Sequence, residues 1–265
     1  MKEMAALSDR LKAVASLVTT GSRVCDVGCD HGFVPIYLVK QGICSHAIAM
    51  DAKAGPLGQA GEHIAACGLE AYIETRLSDG LREYRIGEAD SMICAGMGGK
   101  LMRRILEEDM TKTDSFRELI LQPQSDIQQF RAFLRKQDYL FADENMIEED
   151  GKFYPMMRVV KKDDSKTVQN ETVTRRDSFD ADWRQRMEDR YGALLLQRKH
   201  PLLYRYLERE KRICGEVLEQ LIEQGLTGEK QKNRYQEMKI QEEDCLRIME
   251  EWYGKDKNRW KRETV

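Results

Sequence analysis

The stretch "VCDVGCDHGFVP", Val24 to Pro35, restricts the fold of this chain more than any other. Four mostly apolar residues lead into a turn marked by Gly28 and Gly32, and Pro35 then falls in the first turn of a predicted helix. A buried strand followed by a glycine turn and a helix is the opening unit of an open, mostly parallel sheet. Such turns usually place backbone N–H groups against a ligand at the carboxyl edge of the sheet.

Apolar runs and helical patterns alternate along the first 160 residues. The apolar runs predict seven strands, at 23–27, 46–50, 71–76, 89–95, 118–121, 140–147 and 154–160. Helices are predicted at 8–19, 35–40, 55–67, 126–137 and from Leu101 onward. This alternation predicts a Rossmann-like α/β fold, a seven-stranded mostly parallel sheet with helices on both faces and a closing antiparallel hairpin. The outline is typical of class I methyltransferases rather than of a symmetric dinucleotide-binding fold.

The remainder of the chain has a different pattern. Residues 161–182 contain few apolar side chains and are predicted to form a linker. Beyond them, apolar residues recur at spacings of three and four on both sides of "GLTG", Gly225 to Gly228. Two such stripes joined by a glycine turn predict an antiparallel, coiled-coil-like helical hairpin. We therefore expect a catalytic domain at 1–160, a linker at 161–182 and a helical domain at 183–265.

Composition limits the class of protein. Hydrophobic residues make up 41% of the chain and charged residues 34%, which fits a folded core beneath a highly solvated surface. No apolar run reaches the ~20 residues of a membrane-spanning helix, so no membrane partner is expected. Seven irregularly spaced cysteines without a visible export signal indicate reduced thiols in a cytoplasmic protein. The net charge is −5 over residues 1–160 and +2 over residues 161–265, which does not establish a nucleic-acid partner by itself.

Two aspartates in the glycine turn indicate what the turn binds. Asp26 and Asp30 flank Gly28, where they would oppose the pyrophosphate of a dinucleotide. S-adenosylmethionine has no phosphate and carries a sulfonium and an α-ammonium group, for which carboxylates are favourable partners. The turn is therefore predicted to hold a cationic cofactor. The structural alternative is that Asp30 caps the helix and Asp26 accepts buried amides.

Acidic residues also follow the second and third strands. Asp51 lies 23 residues after Gly28, close to the spacing at which a carboxylate accepts ribose hydroxyls in nucleoside-binding sheets. Asp79 would accept from the adenine amino group, with the N–H of Gly80 facing a ring nitrogen. Each also has a structural alternative, a helix cap for Asp51 and a turn-forming Asp-Gly pair for Asp79.

Two further motifs adjoin the predicted ligand. Ala95 to Gly99 ("AGMGG") ends the fourth strand, where three glycines would let a flat base approach the backbone or would simply make a tight turn. The Cys25…Cys29-x-His31 spacing lacks the second ligand pair of a metal site, so no metal is expected. His31 would contact the methionine end of the cofactor or cap the turn.

Several motifs together resemble one family. "DVGCDHGFVP", "SDGL", "ICAGMGG", "LILQPQ" and "EDGKFYPM" resemble the bacterial tRNA (adenine-22-N1)-methyltransferases, and "RYGALLLQRKHPLLYRYL" is similar to the helical domain of that family. The resemblance implies transfer of a methyl group from S-adenosylmethionine to N1 of an adenine in the D-arm of tRNA. S-adenosylhomocysteine would be the second product.

The patterns and the resemblance assign three sets of residues. The catalytic set is Asp26, Gly96 and Met97, in which Asp26 would stabilise the cationic product or take its N6 proton. The cofactor set is Asp26, Gly28, Asp30, His31, Gly32, Asp51, Asp79, Gly80 and Ala95. The substrate set is Gln122, Pro123 and Tyr154 in the first domain, and Arg205, Arg209 and Arg212 in the second.

Two other functions stay open at this level. The first is a methyltransferase that acts on a small molecule or a protein, with the hairpin as a dimerisation arm. The second is a catalytically silent RNA-binding protein that keeps the fold, which the intact set of Asp26, Asp51 and Asp79 argues against. The sequence fits a homodimer and a monomer equally.

Overall fold

The first part of the chain forms a single mixed sheet. The structure, a computed structural model, describes residues 7–162 and 178–254. The strands are β1 Val24–Val27, β2 Ala47–Asp51, β3 Ile73–Leu77, β4 Ser91–Met97, β5 Glu118–Pro123, β6 Tyr139–Glu149 and β7 Lys152–Lys161. Their order in the sheet of the described residues is β3-β2-β1-β4-β5-β7-β6. Strands β1 to β5 are parallel, and β7 pairs antiparallel with β5 and with β6. The predicted α/β fold is confirmed.

Helices cover both faces of this sheet, because successive strand residues point to opposite faces and both sets are apolar. Cys25 and Val27 lie in one buried cluster with Met102, which belongs to a helix on one face of the sheet. Val24 lies in a second buried cluster with Ile64, which belongs to a helix on the other face. The helices of this region are α1 Asp9–Ala15, α2 Phe33–Lys40, α3 Ala54–Ala66, α4 Gly99–Glu108, α5 Met110–Thr113 and α6 Ile127–Lys136.

The chain divides into two compact units, Met1–Gly192 and Ala193–Val265. Helix α7, Ser178–Tyr191, belongs to the first unit, so the second unit begins at Ala193 and not at the predicted residue 183. Side chains of α6 hold α7 in place, since Arg135 pairs with Asp189 at 2.8 Å. Residues 163–177, most of the predicted linker, lie outside the described residues.

The second unit is a helical hairpin. Its long helices pack against each other through a buried cluster that contains Cys214, Leu218 and Met238. The elements are α8 Ala193–Gln197, α9 Pro201–Glu223, α10 Glu229–Ile248 and a π-helical turn at Met249–Tyr253. None of the described helices is long and apolar enough to cross a bilayer.

Candidate active site

A pocket of about 550 Å³ opens at the carboxyl edge of the sheet, beyond β1, β2, β3 and β4. Parallel strands deliver the residues that follow them to one edge, and ligands bind there in open α/β sheets. Most of the predicted cofactor set lines this pocket, namely Asp26, Gly28, Asp30, His31, Asp51, Asp79, Gly80 and Ala95. Gly96 and Met97 line it too, whereas Gly32 is not among the lining residues.

The glycine turn owes its shape to three residues with positive φ, Gly28 at 76°, Asp30 at 52° and Gly32 at 72°. The N–H of Gly28 donates to the carbonyl oxygen of Met50 at 2.8 Å, which ties the turn to β2. A methyl group on Gly32 would lie 3.0 Å from the Cβ of Ala60. Gly32 therefore allows the close packing of α2 against α3, and its contact with the cofactor stays a prediction.

Two carboxylates line the pocket and interact electrostatically. Asp26 is 4% exposed, and burial raises its pKa to about 7, with the negative charge of Asp51 as the second cause. The Asp51 carboxylate is fixed because its two oxygens accept the N–H of Asp30 at 3.2 Å and the N–H of Lys53 at 2.9 Å. Helix α2 is capped by Gly32 and not by the Asp30 side chain, so the capping alternative for Asp30 is wrong. The arrangement is electrostatically prepared for a cation.

Asp79 differs from Asp26 and Asp51 in that it lies beside two arginines. Its side chain is 42% exposed, and its oxygens lie 3.3 Å from Arg104 and 3.5 Å from Arg82. Gly80 turns the chain with a φ of 62°. A carboxylate keeps further acceptor capacity beside two guanidinium groups, so the adenine contact stays a prediction.

Of the glycines in Ala95–Gly99, Gly96 faces the pocket. It has a φ of 83° at an irregularity in the pairing of β4 with β5, between Ala95 and Met97. A Cβ at this position would have the side-chain nitrogens of Arg10 and Gln124 as its nearest neighbours, both at 3.8 Å. A Cβ there would make only ordinary van der Waals contacts, so the positive φ, and not crowding, favours glycine at this position.

Gly99 has a structural reason to be glycine. A methyl group there would lie 2.6 Å from the carbonyl oxygen of Ser125 and 3.2 Å from the Cβ of Phe130. The glycine allows α4 to approach the start of α6. Gly99 thus fits the tight-turn alternative for the "AGMGG" motif, and the approach of a base at Gly96 stays a prediction.

Two of the predicted substrate residues of the first unit, Gln122 and Tyr154, contact Arg10, which was not predicted. Gln122 is fully buried and accepts a hydrogen bond from Nη1 of Arg10 at 2.7 Å. The guanidinium carbon of Arg10 lies 5.5 Å from the ring centroid of Tyr154. Gln122 and Pro123 are both buried and are not among the residues that line the pocket, whereas Arg10 and Gln124 are. Arg10 lies on the polar side of α1, and the sequence does not reveal that this side faces the pocket.

The cysteine and histidine motif is not arranged as a metal site. The Cys25 sulfur lies 3.3 Å from the Met50 sulfur, and burial raises the pKa of the Cys25 thiol far above its ordinary range. Nε2 of His31 lies 3.6 Å from an Asp30 oxygen. Among the described residues, no group of three or more His, Cys, Asp or Glu side chains could hold a metal ion.

The remaining predicted residues belong to the second unit. Arg205, Arg209 and Arg212 are exposed on α9 at spacings of four and three, which places them on one face of the helix. Arg212 donates to Glu216 at 2.9 Å. A further basic stretch of the sequence, 255–262, lies outside the described residues.

Sequence and fold both match known methyltransferases. A family described as a methyltransferase domain matches residues 7–157, more than half of the chain. The chain belongs to this family. The tRNA (adenine(22)-N(1))-methyltransferase of Bacillus subtilis strain 168 is 39% identical over 151 residues, and this alignment spans 57% of the chain and 63% of that relative. The chain thus aligns in sequence with just under two thirds of that enzyme.

Solved structures extend the similarity to the helical unit. The B. subtilis m1A22 tRNA methyltransferase superposes with a TM-score of 0.75 and 29% identity, covering 93% of this chain and 100% of that one. A candidate tRNA (m1A22) methyltransferase of Streptococcus pneumoniae, solved with S-adenosyl-L-methionine, gives a TM-score of 0.74 and 28% identity, covering 92% and 100%. These matches confirm the resemblance that the motifs indicated.

Proposed function

We propose that this protein transfers the methyl group of S-adenosylmethionine to N1 of adenine 22 in tRNA. The observation that carries the proposal is the acidic pocket, in which the buried Asp26 and the hydrogen-bonded Asp51 favour a cationic ligand and Gly96 is part of the wall. The choice of tRNA as the acceptor is supported by the similarity of the chain, over almost its whole length, to m1A22 tRNA methyltransferases. The same carboxylates disfavour a dinucleotide.

The residues present fit this cofactor. A volume of about 550 Å³ suits a nucleoside-sized ligand. Bound S-adenosylmethionine supplies an electrophilic methyl group on a cationic sulfur. Asp26 and Asp51 offset positive charge, and the Asp51 oxygens keep acceptor capacity for ribose hydroxyls. Asp79 and Gly80 are the proposed adenine contacts.

The acceptor chemistry needs positioning and charge stabilisation. Adenine N1 has an in-plane lone pair and can attack without first losing a proton. N1 also lies on the base-pairing edge, so the nucleotide has to be unpaired and turned out, and Gly96 presents only backbone to it in the pocket wall. The methylated base is a cation, and Asp26, with its pKa raised to about 7, is suited to stabilise that charge or accept the N6 proton.

The second unit is proposed to dock the tRNA through Arg205, Arg209 and Arg212. These cations are exposed on one helix face, as a phosphate-binding surface requires. A tRNA substrate also implies a cytoplasmic enzyme.

The direct test is methyl transfer to a defined tRNA. The protein is incubated with labelled S-adenosylmethionine and a tRNA transcript that has adenine at position 22. The control is the same transcript with guanine at that position. We expect 1-methyladenosine by mass spectrometry, and a reverse-transcription stop at position 22, in the first transcript only. Methylation of both transcripts, or of neither, would contradict the proposal.

A further inference from the structure

Arg10 is positively charged and lines the same pocket as the carboxylates that are proposed to bind a cationic cofactor. Its side chain is only 19% exposed, and its Nη1 donates to the buried Gln122 at 2.7 Å. Its guanidinium lies over the ring of Tyr154, 5.5 Å from the centroid. These contacts fix the Arg10 guanidinium at one place in the pocket wall, as expected for a side chain that binds a ligand.

The charge of Arg10 is only partly compensated. Its Nε lies 3.9 Å from Oε2 of Glu149, at the outer limit of an ion pair. The other oxygen of Glu149 accepts the backbone N–H of Arg10 at 3.1 Å. Gln122 is neutral and Tyr154 contributes only a ring face. Positive charge therefore remains beside Gly96, where the acceptor is proposed to enter.

The two reactants offer two anions to this charge, the α-carboxylate of S-adenosylmethionine and a phosphate of the nucleic acid. Arg10 lies beside Gly96, where the acceptor is proposed to enter, which favours the phosphate, and S-adenosylhomocysteine keeps the carboxylate, so its Kd separates the two. The methylated base becomes cationic, so a guanidinium stacked on that base would oppose the reaction. The phosphate of the same nucleotide is an anion that a turned-out base brings along with it. Arginine is also the side chain that best matches phosphate geometry.

We propose that Arg10 binds the phosphate of the acceptor nucleotide, and that Gln122 is a positioning residue that orients the guanidinium. This inference rests on the proposed function, because the acceptor has to be a nucleotide of an RNA. Gln122 is fully buried, so it acts on the substrate only through Arg10.

The test compares Arg10→Ala, Arg10→Lys and Gln122→Leu with Lys12→Ala. Lys12 is a matched control on the same helix, because it is exposed and pairs with Asp9 at 2.9 Å. Steady-state methylation gives KM and kcat for tRNA, binding at several salt concentrations gives the salt slope, and calorimetry gives the Kd of S-adenosylhomocysteine.

For Arg10→Ala we expect KM for tRNA to rise by about 10- to 100-fold, the scale of one charge-assisted hydrogen bond. The salt slope should fall by about one, and the Kd of S-adenosylhomocysteine should stay within about twofold. Arg10→Lys should keep the slope and part of the affinity, because lysine retains the charge without the planar fork. Gln122→Leu should raise KM, and the double variant with Arg10→Ala should be no worse than Arg10→Ala alone.

Distinct outcomes would overturn the inference. If the wild type methylates adenine 22 and Arg10→Ala matches Lys12→Ala in KM and salt slope, Arg10 does not bind phosphate. A fall in kcat with an unchanged salt slope would indicate a contact with the base, and would also overturn it. If the wild type methylates no tRNA, the proposed function fails and this inference fails with it.

Discussion

Asp26 is a carboxyl group that the fold removes from water before any ligand binds. Burial raises its pKa to about 7, with a further contribution from Asp51. In the unfolded chain the same group ionises at about pH 3.9. Between these values the folded protein holds a proton that the unfolded chain has released, so the stability from this group falls as the pH rises from about 4 to about 7. A bound cation favours the ionised form and would offset this loss.

Asp26→Asn should therefore stabilise the ligand-free protein at pH 8 and do so much less at pH 5, where about a third of the loss has accumulated. The amide resembles the protonated carboxyl, and the gain at pH 8 is at most about 4 kcal/mol, the full value of a shift of about three pKa units. Urea unfolding at the two pH values measures it. Asp9→Asn is the control, because Asp9 has the same charge but an 82% exposed side chain. Equal effects of Asp26→Asn at both pH values would show that Asp26 does not titrate in this range.

Asp51 should contribute to cofactor affinity through its carboxylate. Asp51→Ala is expected to weaken S-adenosylhomocysteine binding by ~1–3 kcal/mol, the range of charge-assisted hydrogen bonds. Asp51→Asn keeps one acceptor oxygen and should lose less. Calorimetry measures both variants, with NAD as a ligand that should not bind the wild type. Unchanged affinity in Asp51→Ala would remove the ribose role.

A buried ion pair between α6 and β6 also contacts the end of helix α7. Arg131 of α6 donates through Nε to Oε1 of Glu144 at 3.0 Å, and their side chains are 2% and 0% exposed. Nη1 of Arg131 donates to the carbonyl oxygen of Arg190 at 3.1 Å, near the end of α7. A methyl group on Gly192, whose φ is 100°, would lie 2.6 Å from the same Glu144 oxygen. The chain therefore has to leave α7 through a glycine.

Arg131→Met should destabilise the first unit by about 3–5 kcal/mol, because the Glu144 carboxylate stays buried without its guanidinium. The double variant Arg131→Met/Glu144→Leu should recover most of that loss, since apolar pairs often replace buried ion pairs at little cost. The urea midpoint can be followed by the fluorescence of Trp183, which is buried on α7. Arg103→Met is the control, as Arg103 forms an exposed i,i+4 pair with Glu107. A double variant as unstable as Arg131→Met would refute the desolvation argument.

Local sequence patterns were sufficient to predict the strands. The role of Arg10 and the position of α7 depend on contacts between residues far apart in the sequence, so they could not be predicted. All seven strands occur near their predicted positions, because each has a short apolar run bounded by turn residues. Asp26, Asp51 and Asp79 could be placed because they lie at or just beyond the carboxyl ends of parallel strands. Arg10 could not, since its partner Gln122 is 112 residues away. The contact that assigns α7 to the first unit joins residues 59 apart.

The charges of the whole molecule suggest a division of labour between the two units. Residues 1–192 carry 27 Lys and Arg against 32 Asp and Glu, whereas residues 193–265 carry 16 against 14. A net negative catalytic unit is a poor partner for a polyanion by itself. Within this unit, Arg10 is proposed to bind a single phosphate, that of the acceptor nucleotide. Affinity for the body of the tRNA is therefore expected from the helical unit.

Charge reversal of Arg205, Arg209 and Arg212 to glutamate should weaken tRNA binding and reduce its salt slope by up to about three, one for each phosphate that these arginines neutralise. S-adenosylhomocysteine binding should not change, because the described residues that line the pocket all belong to the first unit. The matched control reverses Lys232, Arg234 and Lys239, three exposed cations on α10 with the same total change of charge. Filter binding at several salt concentrations separates the two triple variants. If both lose affinity equally, the effect is one of net charge. If neither does, the hairpin has an architectural role and the tRNA binds to the catalytic unit itself.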